Sequence, residues 1–289
     1  TLQGGVIFTD RQRLAAWDRE GITVWRLPQG DMQTRLPLGP AATGLVGVAA
    51  NPEGHHLLAW GEDGYAQVVD GTTGTVLVSV PHGQPVIHGA IGADGTRALT
   101  AGAGFQVHTW HTDRPEPVVT LKVPGVHGLG LSSDNRLAFA AGIDGWVQLW
   151  DPETGVQKRP VRHGTQVSGA VFGPDGTSLA SWDQEGTIRL WNPSDGTERV
   201  PAFQHGPDLT AVAFSPDGKQ LISWSPEAAR VWNTADGYAL TPGLQHEEPI
   251  RGARLIPVPE QPIAAIWGTA VVRTWRLPPL GGTETRNMA

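Results

Sequence analysis

Four of the ten histidines stand at a near-constant distance ahead of a tryptophan. His82, His163, His205 and His246 precede Trp110, Trp191, Trp232 and Trp275 by 28, 28, 27 and 29 residues. An imidazole can ligate a transition metal or carry a proton near neutral pH. A metal site needs several such groups to converge, yet these four fall in separate segments of the chain. Zero cysteines remove thiolate ligands, thiol nucleophiles and disulfides. No nucleophile paired with a base and with oxyanion donors can be assembled from the remaining residues. The expectation is therefore no catalytic residue, no metal and no cofactor. His55 and His56 flank a turn and read as a solvated pair.

The elements that must position these histidines are clearest in the stretch His163–Trp191, HGTQVSGAVFGPDGTSLASWDQEGTIRLW. Alternation through Val167, Gly169 and Val171, then Leu179 and Ser181, has period two and predicts strands. Pro174-Asp175-Gly176 supplies a fixed φ, a side chain that bonds its own backbone, and a residue free at positive φ. Asp183-Gln184-Glu185-Gly186 reverses the chain again into Thr187–Trp191. Three such strands carry an apolar face they cannot bury alone.

The same pattern recurs along the whole chain. Trp25, Val69, Trp110, Trp150, Trp191, Trp232 and Trp275 follow one another at 44, 41, 40, 41, 41 and 43 residues. A period of about 40–45 residues with four strands per unit is the signature of propeller blades. With Trp150-Asp151, Trp191-Asn192, Trp232-Asn233 and Phe214-Ser215-Pro216-Asp217-Gly218, the chain resembles the WD-repeat β-propeller family. The resemblance implies an all-β, seven-bladed propeller of four-stranded antiparallel blades around a central channel. It would form a single domain over residues 1–289, with blades at 1–38, 39–80, 81–123, 124–162, 163–203, 204–244 and 245–289. Gly282–Arg286 resembles the fourth strand of blade 5. It is expected to complete blade 7 from the chain's own C-terminal end, closing the ring without strand exchange.

What the resemblance implies for the histidines is structural. Members of the family bury a network of His, Ser or Thr, Asp and the third-strand Trp. Here that network would be His163, Ser181, Glu185 and Trp191 in blade 5, with Glu185 standing for the usual Asp. In blade 6 it would be His205, Ser223 and Trp232, joined by Glu227. Five more tryptophans, Trp17, Trp60, Trp182, Trp224 and Trp267, end second strands, where Gly102 and Ala141 keep the small residue common in the family. Trp146 opens the third strand of blade 4. Such indoles read first as packing between blades. Trp60, Trp182 and Trp224 also make candidates for an aromatic rim on the face where relatives bind partners. Near the entry of the innermost strands stand His88, His127 and Arg251, a candidate cationic mouth for a partner or a small anion.

Composition narrows the function classes. The net charge of −7 comes with no basic counter-patch, and only 3 of the 21 basic residues are Lys; nucleic acid is not expected as a partner. The excess of Arg with abundant Ala, Gly and Pro resembles chains from GC-rich bacterial genomes. No apolar run approaches the roughly 20 residues that span a bilayer, so no membrane association is expected. No secretory signal is visible, although Thr1 is not Met and a segment upstream is compatible with the chain. The expectation is a non-enzymatic, monomeric, cytoplasmic domain that binds a protein or peptide, the regulatory part of a larger bacterial signalling protein. The alternative is a channel-mouth binder of a small molecule or anion, or an enzyme, using His88, His127 and Arg251.

Overall fold

The computed structural model describes residues 4–7, 13–18, 21–26, 31–36, 44–164, 166–258 and 261–278. These residues form seven antiparallel sheets and no helix. Blade 1 comprises Gly4–Ile7, Arg13–Asp18, Gly21–Arg26 and Asp31–Leu36. Blade 2 comprises Leu45–Ala50, His56–Gly61, Tyr65–Asp70 and Val76–Pro81. Blade 3 runs through Val86–Ile91, Arg97–Gly102, Gln106–His111 and Pro117–Lys122. Blade 4 has Val126–Leu131, Ala138–Gly142, Trp146–Trp150 and the two-residue outer strand Val161–Arg162. In blade 5, Gly169–Phe172, Leu179–Trp182 and Thr187–Asn192 are edged by Thr197–Glu198 and then by Phe203–Gln204. Pro201, which has no N–H to give the ladder, lies between those two outer pieces. Blade 6 comprises Ala211–Phe214, Gln220–Trp224, Ala228–Asn233 and Leu244–Gln245. In blade 7 the described strands are Gly252–Ile256, Ile263–Trp267 and Val272–Arg276. The expected fourth strand, Gly282–Arg286, lies outside the described residues.

The chain packs as two compact units, residues 1–143 with 148–158, and residues 144–147 with 159–289. Within each, period-two alternation decides which neighbour a side chain meets. In the first unit Leu57 packs toward blade 1 with Ile22 and Val24, while the adjacent Leu58 turns the other way, onto Ala98 and Trp110 of blade 3. In the second unit Leu221 joins Ile188, Leu190 and Trp182 of blade 5, and Ile222 joins Leu255 and Ile266 of blade 7. A strand with both faces buried reads as a continuous apolar run, which is what Ala-Phe-Ala-Ala at 138–141 shows.

Turn chemistry fixes the hairpins. Gly186 sits at φ +91°, and a Cβ there would fall 1.8 Å from the carbonyl oxygen of Gly206. Only glycine fits that approach. His205 N donates to the Gly186 carbonyl at 2.9 Å, so the same close contact docks the segment that delivers blade 6's histidine.

Candidate functional site

In blade 5 the second strand presents Ser181 inward, fully buried. Trp191 Nε1 donates to Ser181 Oγ at 2.8 Å, and Ser181 Oγ lies 2.8 Å from His163 Nδ1. His163 Nε2 lies 3.2 Å from Asp183 Oδ2, with the two side chains 1% and 5% exposed. A carboxylate only accepts, so Nε2 carries the proton, Nδ1 accepts from the Ser181 hydroxyl, and the chain runs one way from Trp191 to Asp183. The second oxygen, Asp183 Oδ1, accepts Thr187 N at 2.8 Å. Burial outweighs the attraction of Asp183 and holds His163 below its usual pKa, so the ring is neutral.

Asp183 takes the place expected for Glu185. Glu185 is exposed in the turn, two residues further on, where its side chain points away from the interior. The signal was present in the sequence. An Asp followed three residues later by Gly makes an Asx-type turn, and the residue directly after Trp182 is the one whose side chain faces His163.

Blade 6 keeps His205, Ser223 and Trp232. Trp232 Nε1 donates to Ser223 Oγ at 2.7 Å, and His205 Nδ1 lies 2.7 Å from the same oxygen. Ser225 stands in Asp183's position and Glu227 is exposed, so no carboxylate completes this network. Burial, with the nearby Arg230 charge, pulls His205 down to about 4. Blade 3 holds a third version, with Trp110 Nε1 donating to Thr100 Oγ1 at 3.1 Å and His82 Nε2 at 2.7 Å from it. Burial lowers His82 to about 4, and its ring meets His108 edge-on at 4.4 Å. Blade 4 has Ala140 where the hydroxyl belongs, and Trp150 Nε1 reaches back one repeat to Thr109 Oγ1 at 3.2 Å. In blade 7, Ile266 replaces the hydroxyl and Gly268 the acid. Glu248, entering from the segment before the first strand, accepts the Thr269 and Ala270 amides at 2.6 and 2.9 Å. These backbone donors keep its carboxyl below the usual range. The acid has changed strands while the turn it caps has stayed.

The second-strand tryptophans lie flat over the first strand. A Cβ at Gly47 would meet Trp60 at 2.3 Å, one at Gly89 of blade 3 would meet the same ring at 2.6 Å, and Gly169 and Gly252 face Trp182 and Trp267 at 2.4 and 2.3 Å. Trp182 is only 7% exposed, which takes it off the expected rim. Trp60 and Trp224 are half-buried and Trp267 is 36% exposed. In blade 3 the small residue at this position is Ala101, paired with His88, and not Gly102, which falls where Asp183 stands in blade 5. Ala101 stands nine residues before Trp110, as Trp182 does before Trp191.

His88 and His127 are both half-buried on the first strands of blades 3 and 4, in electrostatic reach of each other. Burial first, then His127, lowers His88, whose ring also bonds the Val126 carbonyl. Arg251 belongs to the other unit. It is exposed ahead of Gly252–Ile256, its backbone N bonded to the Trp267 carbonyl at 2.8 Å. Among the described residues no group of three or more His, Asp or Glu side chains could hold a metal ion.

A family model described as "WD domain, G-beta repeat" matches residues 115–151 and 157–192, which hold the fourth strand of blade 3, the four strands of blade 4 and the first three strands of blade 5. The matched stretches carry WD repeats, and the fold is that of a β-propeller. A serine-threonine kinase receptor-associated protein of Dictyostelium discoideum is 37% identical over 98 residues, 33% of each chain. Protein groucho of Drosophila melanogaster is 24% identical over 110 residues, 36% of this chain and 15% of its own length. The matched stretch thus spans a third or less of these relatives. The crystal structure of the computationally designed Ika8 protein superimposes with a TM-score of 0.79 at 19% identity, over 95% of this chain and 83% of that one, and supports the fold alone.

Proposed function

We propose that this WD-repeat chain is a non-catalytic scaffold that binds a protein or peptide at the blade ends where second strands finish and first strands begin. The observation that carries the reading is the commitment of the buried imidazoles. His82, His163 and His205 each hold a hydroxyl at 2.7–2.8 Å that is also bonded by a tryptophan, and burial keeps them neutral. Groups spent on structure are not free for acid–base work. The residues left over for recognition are at the other ends of these strands: Trp60 in the first unit, and Trp224, Trp267 and the exposed Arg251 in the second. Rigid aromatics beside a cation make efficient anchors. A relative whose name states association with a serine-threonine kinase receptor accords with this use. The finer reading is a monomeric, cytoplasmic regulatory part of a larger bacterial signalling protein, without nucleic acid or membrane as partner.

The rival, an anion site or enzyme at His88, His127 and Arg251, is disfavoured because a His88 held neutral by burial draws no anion. The test is capture of a cross-linked partner from the native source by wild-type chain, Arg251→Glu and Arg276→Glu. Arg276 is exposed at the opposite end of the same blade. Loss of the partner only in Arg251→Glu, at unchanged Tm, is expected. Loss only in Arg276→Glu would overturn the assignment of the face.

A further inference from the structure

Blade 2 has lost its whole network. At the repeat positions of His163, Ser181, Asp183 and Trp191 it has Ala41, Ala59, Gly61 and Val69. Where the structure describes these positions, small side chains leave a cavity of about 10 Å³ lined by Ala59, Trp60, Gly61, Asp63, Tyr65 and Gln67. That is room for the centre of one water-sized group. Two acceptors line it. Gln67 is 6% exposed and its Oε1 has no hydrogen-bond partner. Asp63 is half-buried, bonded through Oδ1 to Tyr65 N at 3.0 Å, and burial raises its carboxyl pKa. Tyr65, 38% exposed, forms the lip.

Blade 4 contains the same local sequence already supplied with a cation. Asp144-Gly145-Trp146-Val147-Gln148 repeats Asp63-Gly64-Tyr65-Ala66-Gln67, and Asp144 Oδ1 accepts Trp146 N at 3.2 Å as Asp63 accepts Tyr65 N. The residue paired with Trp146 on the outer strand is Arg162, whose guanidinium lies 5.6 Å over the indole. In blade 2 the residue paired with Tyr65 is Pro81. The aromatic and the acid are kept, and the chain's own cation is missing.

We infer that the blade 2 pocket receives a primary ammonium group, the side-chain tip of a lysine on a bound peptide. An ammonium is the size of a water and offers three donors and no acceptor. Gln67 Oε1 and the Asp63 carboxylate take two of them, and the Tyr65 ring at the lip offers cation–π contact. A returning positive charge also offsets the desolvation that now raises Asp63. The pocket opens at the end of the second strand, the end assigned to partner binding above, and the inference rests on that reading.

The test titrates the purified chain with the peptides acetyl-Gly-Lys-Gly-amide and acetyl-Gly-norleucine-Gly-amide at low salt. The readout is the indole N–H resonance of Trp60, identified by its loss in Trp60→Phe. The lysine peptide is expected to shift it saturably, and the norleucine peptide is not. Asp63→Asn should weaken the response at least tenfold, and Pro81→Arg, which supplies the cation as blade 4 does, should abolish it. No shift with lysine, an equal shift with norleucine, or full binding by Asp63→Asn in a chain with unchanged Tm would each overturn the pocket. If the lysine peptide fails while Arg251→Glu still loses the captured partner, the pocket falls and the scaffold reading stands.

Discussion

His163 Nε2 and Asp183 Oδ2 lie 3.2 Å apart in a pocket where neither side chain is more than 5% exposed. This contact fixes the tautomer of His163 and, through it, the direction of every bond back to Trp191. Ser181→Ala should cost ~1–3 kcal/mol by stranding the indole and imidazole donors and acceptors in a dry interior. Asp183→Asn should fall in the same range, because an amide can match one bond but not the charge-assisted pair. Glu185→Gln, at an exposed turn position, should stay within about 0.5 kcal/mol. Chemical denaturation of the three variants checks this, and a large effect at Glu185 with none at Asp183 would reverse the assignment.

Acid should weaken the fold before the carboxylates titrate. His82 and His205 have pKa values of about 4 when folded, against 6.5 for the free side chain. The unfolded chain therefore binds more protons between these values, and stability present above pH 6.5 is lost as pH falls toward 4. Each histidine contributes a slope of at most ~1.4 kcal/mol per pH unit in that window. Asp70, Asp151 and Asp175 are held below the usual carboxylate range by turn amides and hydroxyls, so their own losses come lower. Unfolding free energies at pH 7, 6 and 5 should fall progressively, and His205→Gln should flatten the slope. A constant stability from pH 7 to 5 would refute the buried neutral histidines.

The repeat was legible because tryptophan marks it. One large residue every 40–44 positions, with Pro-Asp-Gly or Asn-Pro-Glu-Gly turns between, leaves little choice of architecture. The details failed where geometry interrupts counting. Gly102 follows the eight-residue spacing of blades 6 and 7, whereas blade 3 keeps the nine of blades 2 and 5 and so places Ala101 there. The acid of blade 5 was expected at Glu185, but Asp183, the residue directly after Trp182, is the one that turns inward. The outer strand of blade 5 is broken around Pro201 into Thr197–Glu198 and Phe203–Gln204, since proline has no N–H for the ladder. The transfer of the acid in blade 7 from the turn to Glu248 had no signature in any single repeat. It becomes visible only when Gly268 is seen to leave room for the carboxylate, 2.3 Å from where its Cβ would be.

Blade 7 accordingly offers a swap. Glu248→Ala should lower the Tm by removing the acceptor of the Thr269 and Ala270 amides, and the loss should be partly restored by Gly268→Asp in the same chain. The restored variant puts the acid back where blade 5 carries it. Gly268→Asp alone should destabilise, because the Glu248 side chain already occupies that space. Thermal melts of the two single variants and the double decide it. Additive losses, with no restoration, would show that the two acids do not serve one turn.

The last expectation concerns why glycine faces the indoles of Trp60, Trp182 and Trp267. A Cβ at Gly169 would lie 2.4 Å from Cζ2 of Trp182, closer than real carbons approach, and the indole is wedged in the cluster with Leu209, Val212 and Trp232. Gly169→Ala must therefore push the ring or bend the first strand, and overpacking of this kind costs ~1–3 kcal/mol. Trp182→Ala removes the ring and costs ~3–5 kcal/mol through the cavity it leaves. If the contact is the cause of the glycine, the two effects are not additive: in a chain already lacking the indole, Gly169→Ala should be neutral or mildly stabilising, since alanine suits a strand better than glycine. A double-mutant cycle by denaturant unfolding measures the coupling directly. Full additivity would mean that Gly169 answers to a backbone requirement and not to Trp182.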